Sequence, residues 1–538
     1  MSFLNFIQLL GGVGMFLFAI KMISESLQLI AGDKLRHLLG VLTRTPLLGV
    51  LVGAGVTILI QSSSATTVMT VSFVNAGLMN LSQAIGVIMG ANIGTTVTGQ
   101  ILAFKISDYA YAFIISGVLM TLICKKKKYT YLGNGMIGFG LLFVGMQTME
   151  SSMSFLKTRQ DLFLAFSQTP LMGLAAGTLL TLLVQSSAAT VGLTMALGMQ
   201  GLLPLEAAIP IILGDNIGTT ITAVLASFGT NRAARQACAA HVLFNVIGVC
   251  IFMPLMPLYI DFIVSSADSI AHQIANAHTL FNVCNTLLFL PFVKVFAILI
   301  RWLIPAEGRK GQRERFLDYN LITYTPVMAV GAVRNECQHV GELVLDMLRA
   351  VERAFFLGKP EEADKVPEYE EELDRLNRNV QNYGQAIIRT GIGDADMAQL
   401  QRYLASAGDM ERVGDKCMRL VSFYYQLQTR EGDFTSQALE ELHVMFDDAR
   451  TAFALALEVF EPDAVKHPPE LHEVHELAVK VRSVEMSLRV MQLNHLNKRD
   501  CEPTAGLIFI DILGAIENIA YRAQKMAYVH SAKKPTSL

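Results

Sequence analysis

The chain contains two copies of one sequence, which align without a gap at an offset of 124 residues. Residues 45–98 form the first copy and residues 169–222 the second, and roughly half of the aligned positions are identical. Each copy opens with Thr-Pro, continues through Gln-Ser-Ser and ends in Asn-Ile-Gly-Thr-Thr. Because internal repeats of apolar segments are typical of secondary transporters, this duplication is the strongest constraint on the fold.

The two parts of the chain on either side of Pro305 differ in composition. Before it, apolar runs are broken by Gly, Ser and Thr; after it, Asp, Glu, Lys and Arg are frequent. The whole chain of 538 residues is 52% hydrophobic and only 17% charged, whereas soluble proteins carry about 25% charged residues. We predict a transmembrane domain over 1–305, a linker over 306–320 and a soluble helical domain over 321–538.

Basic residues predict the orientation in the membrane. Lys125–Lys128 follow one apolar segment, and a second basic cluster runs from Arg301 to Arg315 after the last one. The positive-inside rule places both clusters, and with them the C-terminal domain, in the cytoplasm. Other loops are basic too, so the complete topology stays open.

The apolar segments beside each Gln-Ser-Ser are too short to cross a bilayer. Pro46–Ile60 has fifteen residues, or ~22 Å of helix against a hydrocarbon core of ~30 Å. Two short helices joined by a polar tip predict a re-entrant hairpin, whose tip lies near mid-membrane. Two tilted spans with an aqueous loop are the alternative.

The Asn-Ile-Gly-Thr-Thr element interrupts a third apolar run in each copy. Two glycines flank the Asn, which predicts a broken helix that restarts at Thr95-Thr96 or Thr219-Thr220. The exposed ends of a broken helix suit an anion and a cation respectively. Close packing of helices through small residues is the alternative.

The tips and breaks supply hydroxyl and amide groups but no Lys or Arg. Such groups donate to phosphate oxygens and also accept a sodium ion. Helix ends alone leave phosphate under-compensated, so the lack of basic residues favours coupling to a cation. Asp215 is the sole carboxylate within either motif, and it is a candidate to ligate sodium or to take a proton. A helix-end residue near water is the alternative.

Two His-x-Leu-Phe-Asn motifs follow the second copy. His241 with Asn245, and His278 with Asn282, share a helix face at a spacing of four residues. Either face could line a pathway or join neighbouring helices by hydrogen bonds, and we favour the packing role.

Together these motifs resemble the sodium/phosphate cotransporter family of type II, in its bacterial form, over residues 1 to about 305. The resemblance implies an all-α polytopic membrane protein with two inverted repeats, re-entrant hairpins and broken helices. It implies that the tips and breaks hold the substrate at Gln61, Ser62, Ser63, Ser64, Thr66, Gln185, Ser186, Ser187, Thr190, Asn92 and Asn216. It implies sodium ligands at Gln61, Ser62, Thr95, Gln185, Ser186, Asp215, Asn216 and Thr219. Ala188 replaces the counterpart of Ser64, so we expect the two halves to bind ions unequally.

The tail resembles a PhoU domain, with two sets of three helices. The predicted helices cover 321–356, 366–391, 396–428, 435–460, 468–498 and 503–532. Asp409, Glu411 and Asp415 match the family's acidic metal-binding signature, which implies a divalent or trivalent metal. In the second set Asp511 and Glu517 remain, but Tyr521 takes the third position. A solvated acidic face is the alternative.

The sequence therefore predicts a multi-pass inner-membrane carrier that couples sodium to inorganic phosphate, with the bilayer as its environment. A homodimer stays open, and no nucleic-acid partner is expected. The alternatives are a carrier of another oxyanion, a proton-coupled phosphate carrier, or a membrane-anchored regulator that responds to phosphate. Neither a nucleotide-binding loop nor a nucleophile–base signature is present, so we expect neither an ATP-driven pump nor an enzyme.

Overall fold

The computed structural model describes residues 3–41, 45–104, 107–124, 126–153, 169–228, 230–305, 316–428, 434–460, 472–498 and 502–530. The chain divides into two compact units, Met1–Gly308 and Arg309–Leu538. The described residues form helices and connections without any strand, which confirms the all-α prediction. Lys125 and residues 309–315, on which the predicted orientation rests in part, lie outside the described residues.

The first unit contains fourteen described α-helices. They are α1 (Phe3–Val41), α2 (Pro46–Ile60), α3 (Ser63–Asn75), α4 (Leu81–Ala103), α5 (Ala110–Ile123), α6 (Lys127–Ser152), α7 (Pro170–Val184), α8 (Ser187–Met199), α9 (Leu205–Gly218), α10 (Ile221–Ala226), α11 (Arg232–Phe252), α12 (Met256–Ser266), α13 (Ile270–Phe289) and α14 (Val293–Leu303).

The second unit contains seven. They are α15 (Tyr319–Tyr324), α16 (Pro326–Phe355), α17 (Val366–Ile388), α18 (Asp394–Gln428), α19 (Ser436–Ala456), α20 (His472–Lys498) and α21 (Pro503–His530).

The two sequence copies fold alike at their short helices. Helices α2 and α7 have 15 residues each, and α3 and α8 have 13 each. The third helix of each copy, α4 or α9, packs against the first short helix of that copy through glycine. A Cβ at Gly90 would lie 2.0 Å from the Val50 carbonyl oxygen, and one at Gly214 would lie 2.1 Å from that of Leu174. These glycines are therefore required for close backbone contact.

A sharp turn separates the short helices of each copy. Gln61 and Gln185 end α2 and α7 with φ of 57° and 55°, the left-handed conformation. Among the described residues they are the only ones other than glycine with positive φ. Such a conformation is uncommon and disfavoured for residues with a Cβ, so its occurrence at both tips indicates a constraint shared by the two sites. The predicted pairs of short helices are confirmed.

The predicted helix break is correct in the second copy and wrong in the first. Thr219 and Thr220 separate α9 from α10, whereas α4 runs unbroken through Asn92. In the first copy Gly90 and Gly94 lie within the unbroken helix and meet the backbone of α2 at Val50 and Ala54. There the glycines serve close packing of helices, which was the stated alternative.

Seven described helical segments are long and apolar enough to cross a membrane. Six of these segments lie in the first unit, so the first unit is that of a multi-pass membrane protein. The seventh is α21, which packs against α18, α19 and α20 in the second unit. It buries Ile512, Ile516 and Ile519 and carries four charged residues along its length. Its apolar content is therefore explained by the core of a helical bundle.

The second unit has the two predicted sets of three helices, α16–α18 and α19–α21, with α18 packed on α21. The first predicted helix is divided at Thr325, because Pro326 follows it and disfavours helical backbone there. The end of the predicted linker is also helical, since α15 begins at Tyr319. Residues 306–315, 468–471 and 531–532 of the predicted segments lie outside the described residues.

Candidate functional site

The two polar tips share one local geometry. Ser62 caps α3 by accepting a hydrogen bond from the Ala65 amide at 3.2 Å, and Ser186 caps α8 through the Ala189 amide at 3.3 Å. Each tip thus joins the C-terminal end of one short helix to the N-terminal end of the next. Helix C-termini attract cations and N-termini attract anions, so one tip offers both kinds of charge.

Threonine hydroxyls cross-link the two short helices behind each tip. Thr57 Oγ1 donates to Thr66 Oγ1 at 2.9 Å, and Thr181 and Thr190 share the equivalent bond at 2.7 Å. All four side chains are buried. Sequence reasoning selected Thr66 and Thr190 but missed their partners. The signal for these was present, because the same threonine stands four residues before Gln in both copies.

A buried carboxylate distinguishes the second copy. Asp215 is 0% exposed, and its Oδ1 accepts a hydrogen bond from Thr181 Oγ1 at 2.7 Å. Thr219 Oγ1 bonds the Asp215 carbonyl oxygen at 2.8 Å and Ser187 Oγ at 2.6 Å. The second copy therefore gathers the hydroxyls of its tip, its break and its short helices around one buried carboxyl group. The alternative placement of Asp215 at a wet helix end is wrong.

The first copy has Ala91 at that position, and its polar groups form separate pairs. Gln61 Oε1 accepts from Thr98 Oγ1 at 2.7 Å, while Gln61 Nε2 donates to the Ile58 carbonyl oxygen. Asn92 Nδ2 donates to Asn245 Oδ1 at 2.8 Å. The two copies are thus unequal, as Ala188 led us to expect, but the larger difference lies at Ala91.

Exposure of the predicted site residues follows a gradient. Gln185 is exposed, while Gln61, Ser62, Ser64, Ser186 and Thr95 are half-buried. The remaining predicted residues of the membrane unit are buried: Ser63, Thr66, Asn92, Ser187, Thr190, Asp215, Asn216 and Thr219. The tips therefore remain reachable, whereas the groups behind them are enclosed in protein.

The two His-Asn motifs each contact one of the Asn-Ile-Gly-Thr-Thr elements. Asn245 on α11 bonds Asn92 of the first copy, and His278 on α13 faces Asp215 of the second, with Nε2 at 4.0 Å from Oδ2. Asn285 Nδ2 ties α13 to α11 through the Phe244 carbonyl oxygen. Asn245 thus joins α11 to α4, as the packing role requires, while His278 borders the candidate site. The favoured packing role of the two motifs stays a prediction.

The acidic residues predicted for a metal in the second unit are paired with cations. Asp409, 2% exposed at its side chain, bonds Arg522 Nη1 and Lys525 Nζ, each at 2.9 Å. Asp511 pairs with Arg419, and Glu517 with Arg482.

Glu411 and Asp415 have acidic neighbours on α17 that the sequence reasoning missed. Burial raises the pKa of Glu411, and the negative charges of Asp415 and Asp374 raise it further. Burial likewise raises the pKa of Glu370, and the charges of Asp374 and Asp415 add to the effect. The Glu-x-x-x-Asp spacing of 370 and 374 was the available signal. Even so, no group of three or more metal-ligating side chains converges within the described residues. With Asp409 already paired with Arg412, Arg522 and Lys525, the predicted ligand set does not fit a metal.

Fold and site define a helical, multi-pass membrane protein with a duplicated polar core. Comparison with known proteins supports this class. The family model for the Na+/Pi-cotransporter matches residues 15–151 and 153–254, and that for the PhoU domain matches residues 338–423. The chain belongs to the Na+/Pi-cotransporter family.

Three relatives illustrate the range of similarity. YqeW of Bacillus subtilis is 34% identical over 295 residues, which cover 54% of this chain and 96% of the relative. YjbB of Escherichia coli, provisionally named an inorganic phosphate export protein, is 24% identical over 464 residues, 85% of each chain. Sodium-dependent phosphate transport protein 2A of Rattus norvegicus is 40% identical over 99 residues, 18% of this chain and 15% of the relative.

Proposed function

We propose that this protein is a secondary transporter that couples sodium movement to the transport of inorganic phosphate across the cytoplasmic membrane. The observation that carries the proposal is the pair of polar tips, each with a left-handed Gln and a serine-capped short helix, together with the buried carboxyl group of Asp215 beside the second tip. Family membership supports phosphate as the cargo and sodium as the coupling ion.

Phosphate suits the tips because they offer donors without fixed positive charge. Hydroxyl and amide groups of the tips, together with the N-terminal ends of α3 and α8, would bind the phosphate oxygens. We assign substrate binding to Gln61, Ser62, Ser63, Ser64, Thr66, Gln185, Ser186, Ser187, Thr190, Asn92 and Asn216. The half-buried position of Ser62 and Ser186 supports access from a cavity.

Sodium suits the same region because oxygen ligands surround an uncompensated negative charge. Hard cations prefer carboxylate, hydroxyl and carbonyl oxygens. We assign sodium binding to Gln61, Ser62, Thr95, Gln185, Ser186, Asp215, Asn216 and Thr219. The network of Thr181, Ser187 and Thr219 around Asp215 supports a stronger cation site in the second copy than in the first.

The proposal includes an arrangement in the membrane. The two copies are inverted relative to each other, the first unit lies in the inner membrane of a bacterial cell, and the second unit lies in the cytoplasm. A basic residue in the last turn of the last apolar helix, Arg301, supports this orientation. Cysteine substitution at Leu122 in α5 and at Gln437 in α19, with an impermeant thiol reagent, tests it.

The function is tested by uptake of radiolabelled phosphate into proteoliposomes under an inward gradient of sodium, potassium or protons. Uptake driven by sodium alone supports the proposal. If a proton gradient drives uptake and sodium has no effect, the cargo is still phosphate but the coupling ion is the proton. No uptake under any gradient, from folded protein, would favour another oxyanion or a regulator. Uptake of labelled sulfate or arsenate under the same gradients then separates these last two.

Export is a second candidate for the direction of net transport. Its basis is YjbB, which aligns with this chain over 85% of both lengths and is provisionally named for phosphate export. Loading proteoliposomes with labelled phosphate and imposing either sodium gradient compares the two directions in one preparation.

A further inference from the structure

Helices α16, α18 and α21 of the second unit meet around one tyrosine, Tyr403 on α18. Cys337 Sγ on α16 donates to the Tyr403 carbonyl oxygen at 3.5 Å. On α21, the His530 ring stacks on the Tyr403 ring with centroids 5.4 Å apart, and its Nε2 shares a hydrogen bond of 3.0 Å with Ser406 Oγ. The N-terminal halves of α16 and α18 therefore lie beside the C-terminal end of α21.

Two arginines at this end of the unit lack a carboxylate partner. Arg334 precedes Cys337 by one turn on the same face of α16, and Arg402 directly precedes Tyr403. Both arginine side chains are half-buried. Arg402 makes no hydrogen bond or ion pair with any described residue, and its Nε is enclosed in protein. Arg334 donates from Nε and Nη2 to Asn335 Oδ1, at 3.2 and 3.0 Å. Because Asn335 is neutral, no carboxylate of the described chain compensates either guanidinium.

The charges of both arginines reach the Tyr403 hydroxyl. Burial raises the pKa of this hydroxyl, whereas the bond from Gln399 and the charges of Arg334 and Arg402 lower it. Gln399 Nε2 donates to the Tyr403 hydroxyl oxygen at 2.7 Å, so the hydroxyl keeps its own hydrogen as a donor. That hydrogen has no acceptor among the described residues. Two guanidinium groups and one hydroxyl thus lie close together with unused donors.

The other arginines on α18 and α21 that surround this place are paired. Arg412 and Arg522 pair with Asp409. Arg419 pairs with Asp511. A partly buried guanidinium without a counter-charge costs free energy, and its planar fork matches an oxyanion through two parallel N–H···O bonds. A bound oxyanion therefore supplies the charge and the acceptors that the chain itself does not provide here.

We propose that Arg334, Arg402 and the Tyr403 hydroxyl form a binding site for a free tetrahedral oxyanion of the phosphate type. The two guanidinium forks bind its oxygens and neutralise its charge, and the hydroxyl donates to a further oxygen. Because Arg334 lies on α16 while Arg402 and Tyr403 lie on α18, a bound oxyanion links the two helices. The inference goes beyond the proposed function, since the site belongs to the second unit and holds whatever ion the first unit carries.

The test is hydrogen exchange of the full-length protein in detergent, in potassium phosphate and in potassium chloride of equal ionic strength. Peptides from α16, α18 and α21 report on the site. Potassium sulfate provides a second tetrahedral oxyanion. The variant Arg402→Gln removes one fork and its charge. Arg419→Gln is the matched control, since Arg419 lies on the same helix and already has Asp511 as its partner.

We expect phosphate and sulfate, relative to chloride, to slow exchange near Arg402 in wild type and in Arg419→Gln. At about 10 mM phosphate, a site with a dissociation constant of about 1 mM slows exchange that requires release of the ion about tenfold. We expect Arg402→Gln to show less than about a twofold effect. If this variant does not fold, Arg402→Lys keeps the charge but loses the fork, and it should reduce the slowing. Equal slowing in wild type and in the Arg402 variant overturns the inference, as does a wild type without slowing.

Two further outcomes separate this inference from the proposed function. Slowing by phosphate that is confined to peptides of α3 and α8 in the first unit would refute this inference alone. Slowing near Arg402 in a protein that shows no phosphate flux in proteoliposomes would refute the proposed function alone.

Discussion

Thr181 donates its hydroxyl to the buried carboxylate of Asp215 over 2.7 Å, across 34 positions of the sequence. The same threonine in the first copy, Thr57, bonds Thr66, and Ala91 stands where the carboxylate would be. The duplication has therefore kept one backbone arrangement and placed a negative charge in only one half. We expect cation binding to depend on the second copy more than on the first.

Removal of the Thr181 hydroxyl tests this asymmetry. Thr181→Val keeps the shape of the side chain but leaves Asp215 Oδ1 without its donor. Hydrogen bonds to charged groups contribute about 1.5–3 kcal/mol, so we expect the apparent sodium affinity to fall about tenfold. Thr57→Val is the control and should change the apparent sodium affinity by less than about twofold. The sodium dependence of the melting temperature measures both, and equal effects in the two variants would contradict the asymmetry.

Gly90 tests the close contact between α2 and α4. A Cβ at this position would lie 2.0 Å from the Val50 carbonyl oxygen, so Gly90→Ala must separate the helices. We expect a loss of about 1–3 kcal/mol, seen as a lower melting temperature and a lower yield of folded protein. Gly55→Ala on α2 is the matched control, since a Cβ there meets nothing within 4 Å. It should be neutral or slightly stabilising; a Gly55 variant as unstable as Gly90→Ala would refute the packing argument.

Asp409 in the second unit is expected to act as an ion-pair partner. Asp409→Ala leaves Arg522 and Lys525 without their shared carboxylate. We expect a loss of about 2 kcal/mol, less than the ~3–5 of a fully buried pair, because Lys525 is 39% exposed. Asp511→Ala, at an exposed pair with Arg419, should change little. Hydrogen exchange of peptides from α18 and α21 measures both. Stabilisation of wild type by a divalent metal, lost in both variants, would instead support the metal prediction.

His530 makes the second unit sensitive to acid. Burial lowers the pKa of His530 from its ordinary value of 6.5 to about 4, and the charge of Arg402 contributes to the same shift. Between these values the unfolded state binds more protons than the folded state, so stability falls as the pH drops from about 6.5 to about 4. His530→Phe keeps a ring against Tyr403 and does not titrate. Hydrogen exchange in α21, corrected for intrinsic rates, should show a smaller acid loss in the variant; an equal loss would place the acid sensitivity elsewhere.

The repeat and its short helices could be predicted from the sequence because they are local. The offset of 124, the Thr-Pro starts and the polar tips locate α2, α3, α7 and α8 within a few residues. The break was wrong in the first copy, since two glycines mark close packing as readily as a broken helix. The structure decides for close packing in the first copy, where Gly90 lies against the backbone of Val50 within an unbroken helix.

The partners that complete the site could not be predicted, because they come from distant segments. Asn92 meets Asn245 from 153 positions away, and Asp215 meets His278 on α13. The spacing of each His-Asn motif indicates a shared helix face but does not identify which helix that face contacts. In the second unit the acidic signature was visible, whereas two of the three cations beside Asp409, Arg522 and Lys525, lie on a helix more than a hundred positions further along.

Sodium uptake driven by phosphate is the most direct test of coupling. Proteoliposomes without a sodium gradient receive an inward phosphate gradient, and labelled sodium and labelled phosphate are counted in the same vesicles. We predict that phosphate drives sodium inward in wild type and in the control Ser116→Ala, on an exposed part of α5. We predict that Ser62→Ala/Ser186→Ala abolishes both fluxes together. Phosphate entry without sodium, or unchanged fluxes in the double variant, would contradict the account.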